Sequence, residues 1–380
     1  MGRSTVDRTV TRVGQAAARA TDADDLLRLV SEEVRRVVDY DAAMWFGVDP
    51  GTLLPTAPAR VEGDLLDSFC QPYWHGEFHA QDALLFRDLA RAPVPAGALH
   101  GVTGGTPMRS GRYRSFNRPQ GLDDELRVVF RTGDSTWGMA DFFRAEGRPS
   151  FGADEVNLIR ALSAPVGAAL RMQAATSAAP WPVSAAEPGL LVFDRDDVLL
   201  SANAAAADWL RRAYGTLPGD NWVDVMRGDP VGSGLRLPFP AYPLLTRARA
   251  VAAGRDPGPA RFRQRDARGR WLVLHASVLA GAGDEAVAVV VEPATSSDVA
   301  PIIIEAYGLT PRERDVVRGI ARGLSTPEIA ADLYLSAHTV RDYLKTIFDK
   351  VGVGSRGELV ARLFAEHYAD PMHAALVHAD

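Results

Sequence analysis

Four groups of residues in this 380-residue chain have types and spacings that chemistry uses. His75 and His79 stand one helical turn apart and close to Cys70, the lone cysteine. Two imidazoles at i and i+4 beside a thiol would suit a metal ion or a haem iron. The surrounding segment CQPYWHGEFH is equally rich in aromatic residues, which suits core or pocket lining. Gly133-Asp134-Ser135 has the form of a hydrolase nucleophile triplet. It falls between two apolar runs with no partner histidine signalled, so a hairpin turn accounts for it. Residues 101–106 (GVTGGT) are glycine-rich but lack the lysine and the strand–helix setting of a phosphate loop, and read as a flexible loop. The fourth group is charged. His338, Arg341, Asp342, Lys345 and Asp349 recur at a spacing that a helix would gather into one exposed stripe.

That stripe needs a helix to present it, and the segment from Leu309 supplies signals for four. Thr310, Pro311 and Glu313 form an N-cap, a first-turn proline and a capping box. Val316, Val317 and Ile320 follow on one face, and Gly323 ends the helix. Thr326-Pro327 opens a second helix carrying Ile329, Ala330 and Leu333. Leu335-Ser336 supplies a turn, with Ser336 as the next N-cap. The third helix, from Ala337, places Val340, Leu344, Ile347, Phe348 and Val351 opposite the charged stripe. A fourth, residues 356–368, carries Leu359, Val360, Leu363 and Phe364. A short helix, a tight turn and a longer helix with a basic stripe form a helix-turn-helix constellation. Capping and amphipathicity alone would equally fit a small bundle whose charged stripe is merely solvated.

The text LTPRERDVV…GLSTPEIAADLYLS…TVRDYLKTIFDKVGVGSR closely resembles the carboxyl-terminal domain of LuxR/NarL-type response regulators, over all four helices without a gap. The resemblance implies binding to double-stranded DNA. Thr339 and Val340 open the recognition helix, and Arg341 and Lys345 take positions where the family places base- or phosphate-contacting cations. Arginine suits bidentate contact with guanine, lysine a point-charge contact. The hydroxyls of Thr326 and Ser336 are the expected phosphate contacts, and His338 shares the exposed face. Asp342 departs from a purely basic stripe, since it would repel phosphate or accept from a cytosine amine. Tyr343 stands near where many members carry histidine. Val360 and Phe364 become expected contacts of a homodimer, or else pack inward.

Two further blocks precede this module. Residues 173–188 and 292–301 are small, polar and proline-bearing, which is linker chemistry. Domains are therefore expected at 1–173, 187–293 and 305–368. The first opens with helical periodicity over 24–38, continues through an apolar run at 42–48, and has a hairpin pattern at 125–130 and 137–143. It closes on the helix FGADEVNLIRALSAPVGAAL. This α+β order resembles a GAF domain, which implies a small-molecule sensor. Across its expected pocket mouth lies the aromatic segment 69–86, with Tyr73, Trp74, Phe78 and Phe86 as expected ligand contacts or as plain core. The second block reads as a hairpin at 190–193 and 198–200, an alanine-rich helix at 203–213, and strands at 271–278 and 286–292. It resembles a PAS domain, although 215–259 has little periodicity.

Bulk properties bound the rest. A 47% hydrophobic and 24% charged composition is ordinary for a multidomain globular chain. Residues 305–368 hold nine Lys and Arg against nine Asp and Glu, so the net charge of −6 lies entirely outside them. A neutral module binds DNA only if its cations share a face. No signal peptide or membrane span is read, and one cysteine fits a cytoplasmic location. Asp24-Asp25 opens a helix where a phosphoryl-accepting receiver needs an acidic pair after a strand. The expectation is a transcription regulator, not an enzyme, without a bound cofactor and controlled by a small-molecule effector. The alternative is a haem- or flavin-bearing or catalytic sensor that also binds DNA.

Overall fold

The computed structural model describes residues 3–63, 70–175, 187–206, 208–209, 241–266, 268–281 and 286–365. The chain forms two compact units. One contains residues 1–173 with 186–268 and 272–292, and the other contains 174–185, 269–271 and 293–380.

The first unit begins with helices α1 (Arg3–Arg19) and α2 (Ala23–Arg35). Asp22 caps α2 by accepting the Asp25 N–H at 2.9 Å, so the acidic pair Asp24-Asp25 does sit in a first helical turn. Five antiparallel strands follow: β1 (Ala42–Val48), β2 (Pro55–Glu62), β3 (Ala96–Ala98), β4 (Leu122–Thr132) and β5 (Ser135–Ala145), in sheet order β2-β1-β5-β4-β3. Helices α3 (Cys70–His79), α4 (Phe86–Leu89) and α5 (Leu99–Val102) lie between β2 and β4, and a π-turn occupies Tyr113–Asn117. Gly133 takes φ +61 in the β4–β5 hairpin, where Thr132 pairs with Ser135; turn chemistry explains the Gly-Asp-Ser triplet. The 101–106 segment differs from a plain loop, because Gly101 lies within α5.

Alternation along the strands gives this sheet two unlike faces. Trp45, Phe130 and Phe142 pack together on one, with ring centroids 5.0–6.0 Å apart. The closing helix α6 (Ala153–Ala175) reaches the sheet closely enough that two positions must be glycine. A Cβ on Gly167 would meet the Arg131 backbone at 2.8 Å, and one on Gly138 would meet Leu170 at 2.5 Å. The other face carries Glu125, Arg127 and Asp141. Arg127 and Asp141 are direct cross-strand partners, and α3 covers them.

The same unit contains a second antiparallel sheet: β6 (Gly189–Phe193), β7 (Leu199–Ala202), β8 (Arg261–Arg265), β9 (Trp271–Val278) and β10 (Val287–Pro293). Its order is β7-β6-β10-β9-β8. Strand for strand this repeats the first sheet's order, although the sequence has no detectable repeat. Helix α7 (Ala241–Ala252) falls inside the 215–259 stretch whose sequence lacked periodicity, and β8 follows just after it. Six of α7's buried positions are Pro243, Leu244, Leu245, Thr246, Ala248 and Ala250; a helix buried so widely has no amphipathic stripe to read. Of the alanine-rich helix expected at 203–213, residues 204–206 and 208–209 are helical and the remainder lies outside the described residues.

In the second unit, the punctuation expected at 292–301 is largely helix. Thr295 and Asp298 form a reciprocal capping box that starts α8 (Ser296–Ala306). Helices α9 (Pro311–Ala321), α10 (Thr326–Asp332), α11 (Ala337–Val351) and α12 (Arg356–Val360) follow, ending in a π-turn at Ala361–Ala365. Among the described residues, no helix is long and apolar enough to cross a membrane.

Candidate functional site

Each helix of the second unit starts on a cap that fixes its direction. The Thr310 hydroxyl accepts the Glu313 N–H at 3.3 Å, and the Glu313 carboxylate accepts the Thr310 N–H at 2.7 Å. Helix α10 repeats the device one residue earlier than the sequence suggested: its N-cap is Ser325, boxed with Glu328, and Thr326 is the first helical residue. The Thr-Pro pattern misleads here because proline occupies the second helical position rather than the first. Ser336 caps α11 by accepting the Thr339 N–H at 3.0 Å, and Gly352, at φ +72, ends it. Val316, Val317, Ile320, Ile329, Val340, Ile347, Val351 and Leu359 are buried between the helices.

This packing turns the other side of α11 to solvent. His338, Arg341, Asp342, Lys345 and Asp349 are all exposed, and Thr339 and Tyr343 are half-buried. Leu344 and Phe348, expected in the core, are half-buried at its margin. His338 Nε2 lies 3.6 Å from the Asp342 carboxylate, one turn away on the same face.

The cations of this unit divide sharply. Arg312 and Arg318 pair with Asp315, Arg314 with Glu305, Arg322 with Asp332, and Lys350 with Glu313. Arg356 donates to the Leu324 carbonyl and Arg362 to the Tyr307 hydroxyl. Among the described residues of 305–365, Arg341 and Lys345 are the Lys and Arg side chains with no protein acceptor. Two unmatched cations one turn apart on an exposed helix face leave charge available to an anionic partner.

Residues 308–363 match the family described as "Bacterial regulatory proteins, luxR family". This segment is a luxR-family domain. The chain is 38% identical over 65 residues to the probable HTH-type transcriptional regulator GfsR of Streptomyces halstedii, covering 17% of this chain and 27% of that protein. It is 36% identical over 75 residues to the probable transcriptional regulatory protein NarL of Mycobacterium tuberculosis, covering 20% and 32%. The chain thus spans about a third or less of those relatives' lengths. Among solved structures, a GAF domain from an Acinetobacter phosphoenolpyruvate-protein phosphotransferase covers 45% of this chain at 12% identity and a TM-score of 0.30. Escherichia coli SdiA covers 95% at 12% identity and a TM-score of 0.34. Likenesses this loose assign no fold.

One ion pair holds the luxR-family domain at its first helix. Lys350 Nζ lies 2.7 Å from a Glu313 carboxylate oxygen that is almost wholly buried. Burial works to raise that carboxyl, but the Lys350 and Thr310 hydrogen bonds outweigh it and hold its pKa below the ordinary 4.5. The pair's stabilisation is therefore present above about pH 4.5 and disappears as pH falls through the lowered folded value. Lys350→Ala is expected to destabilise the domain by about 1 kcal/mol at pH 7, because the lysine is partly solvated. Urea titrations should give a smaller difference from the parent at pH 3.5 than at pH 7. Equal differences would count against the pair.

On the last helix, Val360 is half-buried, while the Phe364 side chain lies outside the described residues.

In the first unit, the aromatic segment lines a charged interior. Tyr73, Trp74, Phe78 and Phe86 are all buried. The Tyr73 ring lies 4.9 Å from Trp74 and 4.8 Å from Phe116, and its hydroxyl donates to Asp141 at 2.8 Å. The Arg127 guanidinium lies over the Tyr73 and Phe86 rings, at 4.9 and 4.3 Å from their centroids. It also bonds Glu77, Glu125 and Asp141 at 2.7–2.9 Å, and Arg112 bonds Glu125 at 2.8 Å. None of these five charged side chains is exposed beyond 3%. Burial and the neighbouring Glu125 charge push the Asp141 carboxyl well above the usual range. Burial works the same way on Glu125, but Arg112 and Arg127 outweigh it and keep that carboxyl ionised. Two guanidinium charges thus face the carboxyls of Glu125, Glu77 and Asp141.

The two histidines read as possible metal ligands stack on each other, with centroids 4.4 Å apart. His79 Nε2 lies 2.9 Å from the Thr246 carbonyl on α7. Among the described residues no cluster of His, Cys, Asp or Glu could hold a metal ion. Helix α3 therefore has two attachments, its aromatic side on the charged interior and its end on α7. The β1–β2 turn is tied to the second sheet as well, by Arg263 bonding both oxygens of Asp49 at 2.6 and 2.8 Å.

Proposed function

We propose that the protein is a sequence-specific, DNA-binding transcription regulator acting as a homodimer in the cytoplasm. The observation that carries this reading is the pair Arg341 and Lys345, exposed on α11 with no protein acceptor while the other cations of the luxR-family domain are engaged. On this reading α11 enters the major groove. Arg341 reads a base edge, Lys345 and the α10 and α11 N-termini with Thr326 and Ser336 hold phosphates, and His338, Thr339 and Asp342 tune the preference. Ser325 joins them as the true cap of α10.

Control is assigned to a small ligand in a GAF-like first domain, lined by Tyr73, Trp74, Phe78 and Phe86, rather than to phosphorylation. Support comes from Asp24-Asp25 lying in a helical turn, where no receiver phosphosite would be built. A PAS-like middle domain is supported by the shared strand order of the two sheets. No catalytic role is assigned to any residue.

Footprinting of genomic fragments enriched by the full-length protein tests the reading. Two related half-sites are expected about 10 bp apart, centre to centre. A single unrepeated site, bound by a monomer in sedimentation, would overturn the homodimer and with it the roles of Val360 and Phe364.

A further inference from the structure

Asn117 ends the π-turn Tyr113–Asn117, and none of its surface is exposed. Neither its amide nitrogen nor its carbonyl oxygen has a hydrogen-bond partner within the protein. Exchanging the two atoms cannot mend this, because both are unmatched. A buried amide in that condition costs a few kcal/mol, and structures retain such groups where something else completes them. Helical turns of the π type, moreover, concentrate at functional sites.

The unmatched groups do not stop at Asn117. Arg112, the residue that precedes the π-turn, has an unmatched Nη1, and Asp141 has an unmatched Oδ1; both side chains are wholly buried. These two belong to the connected cluster Arg112–Glu125–Arg127–Asp141, and Tyr73 bonds Asp141 from α3. Phe116, next to Asn117, packs on Tyr73 and on Phe143 of β5. Unmatched donors and acceptors thus occur both in the π-turn with the residue before it and in the charged cluster that Tyr73 and Phe116 border.

We infer that Asn117, Arg112 and Asp141 form the polar end of a binding site for a small neutral molecule carrying an amide-type donor–acceptor pair on an apolar or planar body. This rests on the ligand-controlled reading of the first domain and specifies the ligand's chemistry. An amide fits because Asn117 offers one donor and one acceptor side by side, which an amide edge complements. Arg112 adds a donor and Asp141 an oxygen. Neutrality follows from the charges already present. Arg112 and Arg127 are already paired with Glu125, Glu77 and Asp141, so an added carboxylate or ammonium would enter without a free counter-charge. The rings of Tyr73, Trp74 and Phe116 accept the apolar body.

Benzamide, benzoate and benzylamine share one shape and differ in charge, so they test the class. Thermal unfolding of the full-length protein is measured with each at about 10 mM. Benzamide is expected to raise the midpoint by about 1–2 °C, and the two ions to leave it unchanged. Asn117→Leu removes an amide that bonds nothing in the protein, so it should fold at least as stably as the parent and lose the benzamide shift. Asn117→Ala serves the same purpose if leucine proves too large. A shift with benzoate or benzylamine instead of benzamide overturns the neutral class and leaves a pocket standing. No shift with any of the three, or a benzamide shift that survives both Asn117 variants, overturns the site and leaves ordered water as the partner. Failure of the ligand-controlled reading looks different: benzamide binds as described, yet DNA affinity ignores it.

Discussion

Arg127→Ala is expected to cost about 3–5 kcal/mol at neutral pH, a large fraction of the about 5–15 kcal/mol that stabilises an ordinary domain. Arg127 is wholly buried and bonds Glu77, Glu125 and Asp141 at once. Removing it leaves those carboxyls facing one another, with Arg112 bonding Glu125 alone among them. Without the cation, burial and mutual repulsion raise the folded-state pKa values above those of the unfolded chain. The folded variant then binds more protons than the unfolded one, so its stability rises as pH falls from 7.5 toward 5. Urea unfolding monitored by tryptophan fluorescence, to which Trp45, Trp74 and Trp137 beside the first sheet contribute, measures both effects. A variant within 1 kcal/mol of the parent at pH 7.5, or a deficit that grows on acidification, would show that the cluster does not hold this interior together.

That cluster was written in the sequence but hidden by its surroundings. The run at 125–130 (ELRVVF) reads as apolar because four of its six residues are, and a hairpin follows from that alone. Glu125 and Arg127 alternate with Leu126 and Val128, so a strand must send both charges to the same face. Only the register, which sets Arg127 opposite Asp141, reveals that this face is interior. Long-range pairing of that kind leaves no local signature. The aromatic segment was legible, and Tyr73, Trp74, Phe78 and Phe86 are all buried. Its charged neighbours came from elements 30 to 70 residues away. By contrast, the luxR-family domain is built from local rules. Caps at Thr310 and Ser336, the glycine after α11 and the period of its apolar stripe each act within one or two turns. Where local rules compete, legibility falls by a residue, as at Ser325 and Thr326. Helix α7 shows the opposite limit: burial on nearly every side erases the amphipathic pattern that marks a helix.

Arg341→Ala is expected to weaken binding to the specific site by about 1–3 kcal/mol, which is about 5- to 150-fold, and to relax preference at one base pair. The side chain is exposed and bonds nothing in the protein, so its loss should leave folding within about 0.5 kcal/mol. The effect thus separates recognition from stability. Lys345→Ala should act otherwise. A lysine on phosphate contributes charge without sequence, so all DNA sequences should weaken alike, and the slope of log affinity against log salt should flatten by about one. Asp342 supplies an internal control on the same face. If it only repels phosphate, Asp342→Asn tightens binding to every sequence and leaves base preference intact. If it accepts from a cytosine amine, the same change costs affinity at one position and nowhere else. His338 lies 3.6 Å from that carboxylate, so His338→Ala is the companion variant on the same face. Titrations of these variants on specific and scrambled duplexes, across several salt concentrations, separate these roles. Unchanged affinity for both Arg341→Ala and Lys345→Ala would remove α11 from the DNA interface, and with it the observation on which the regulator reading stands.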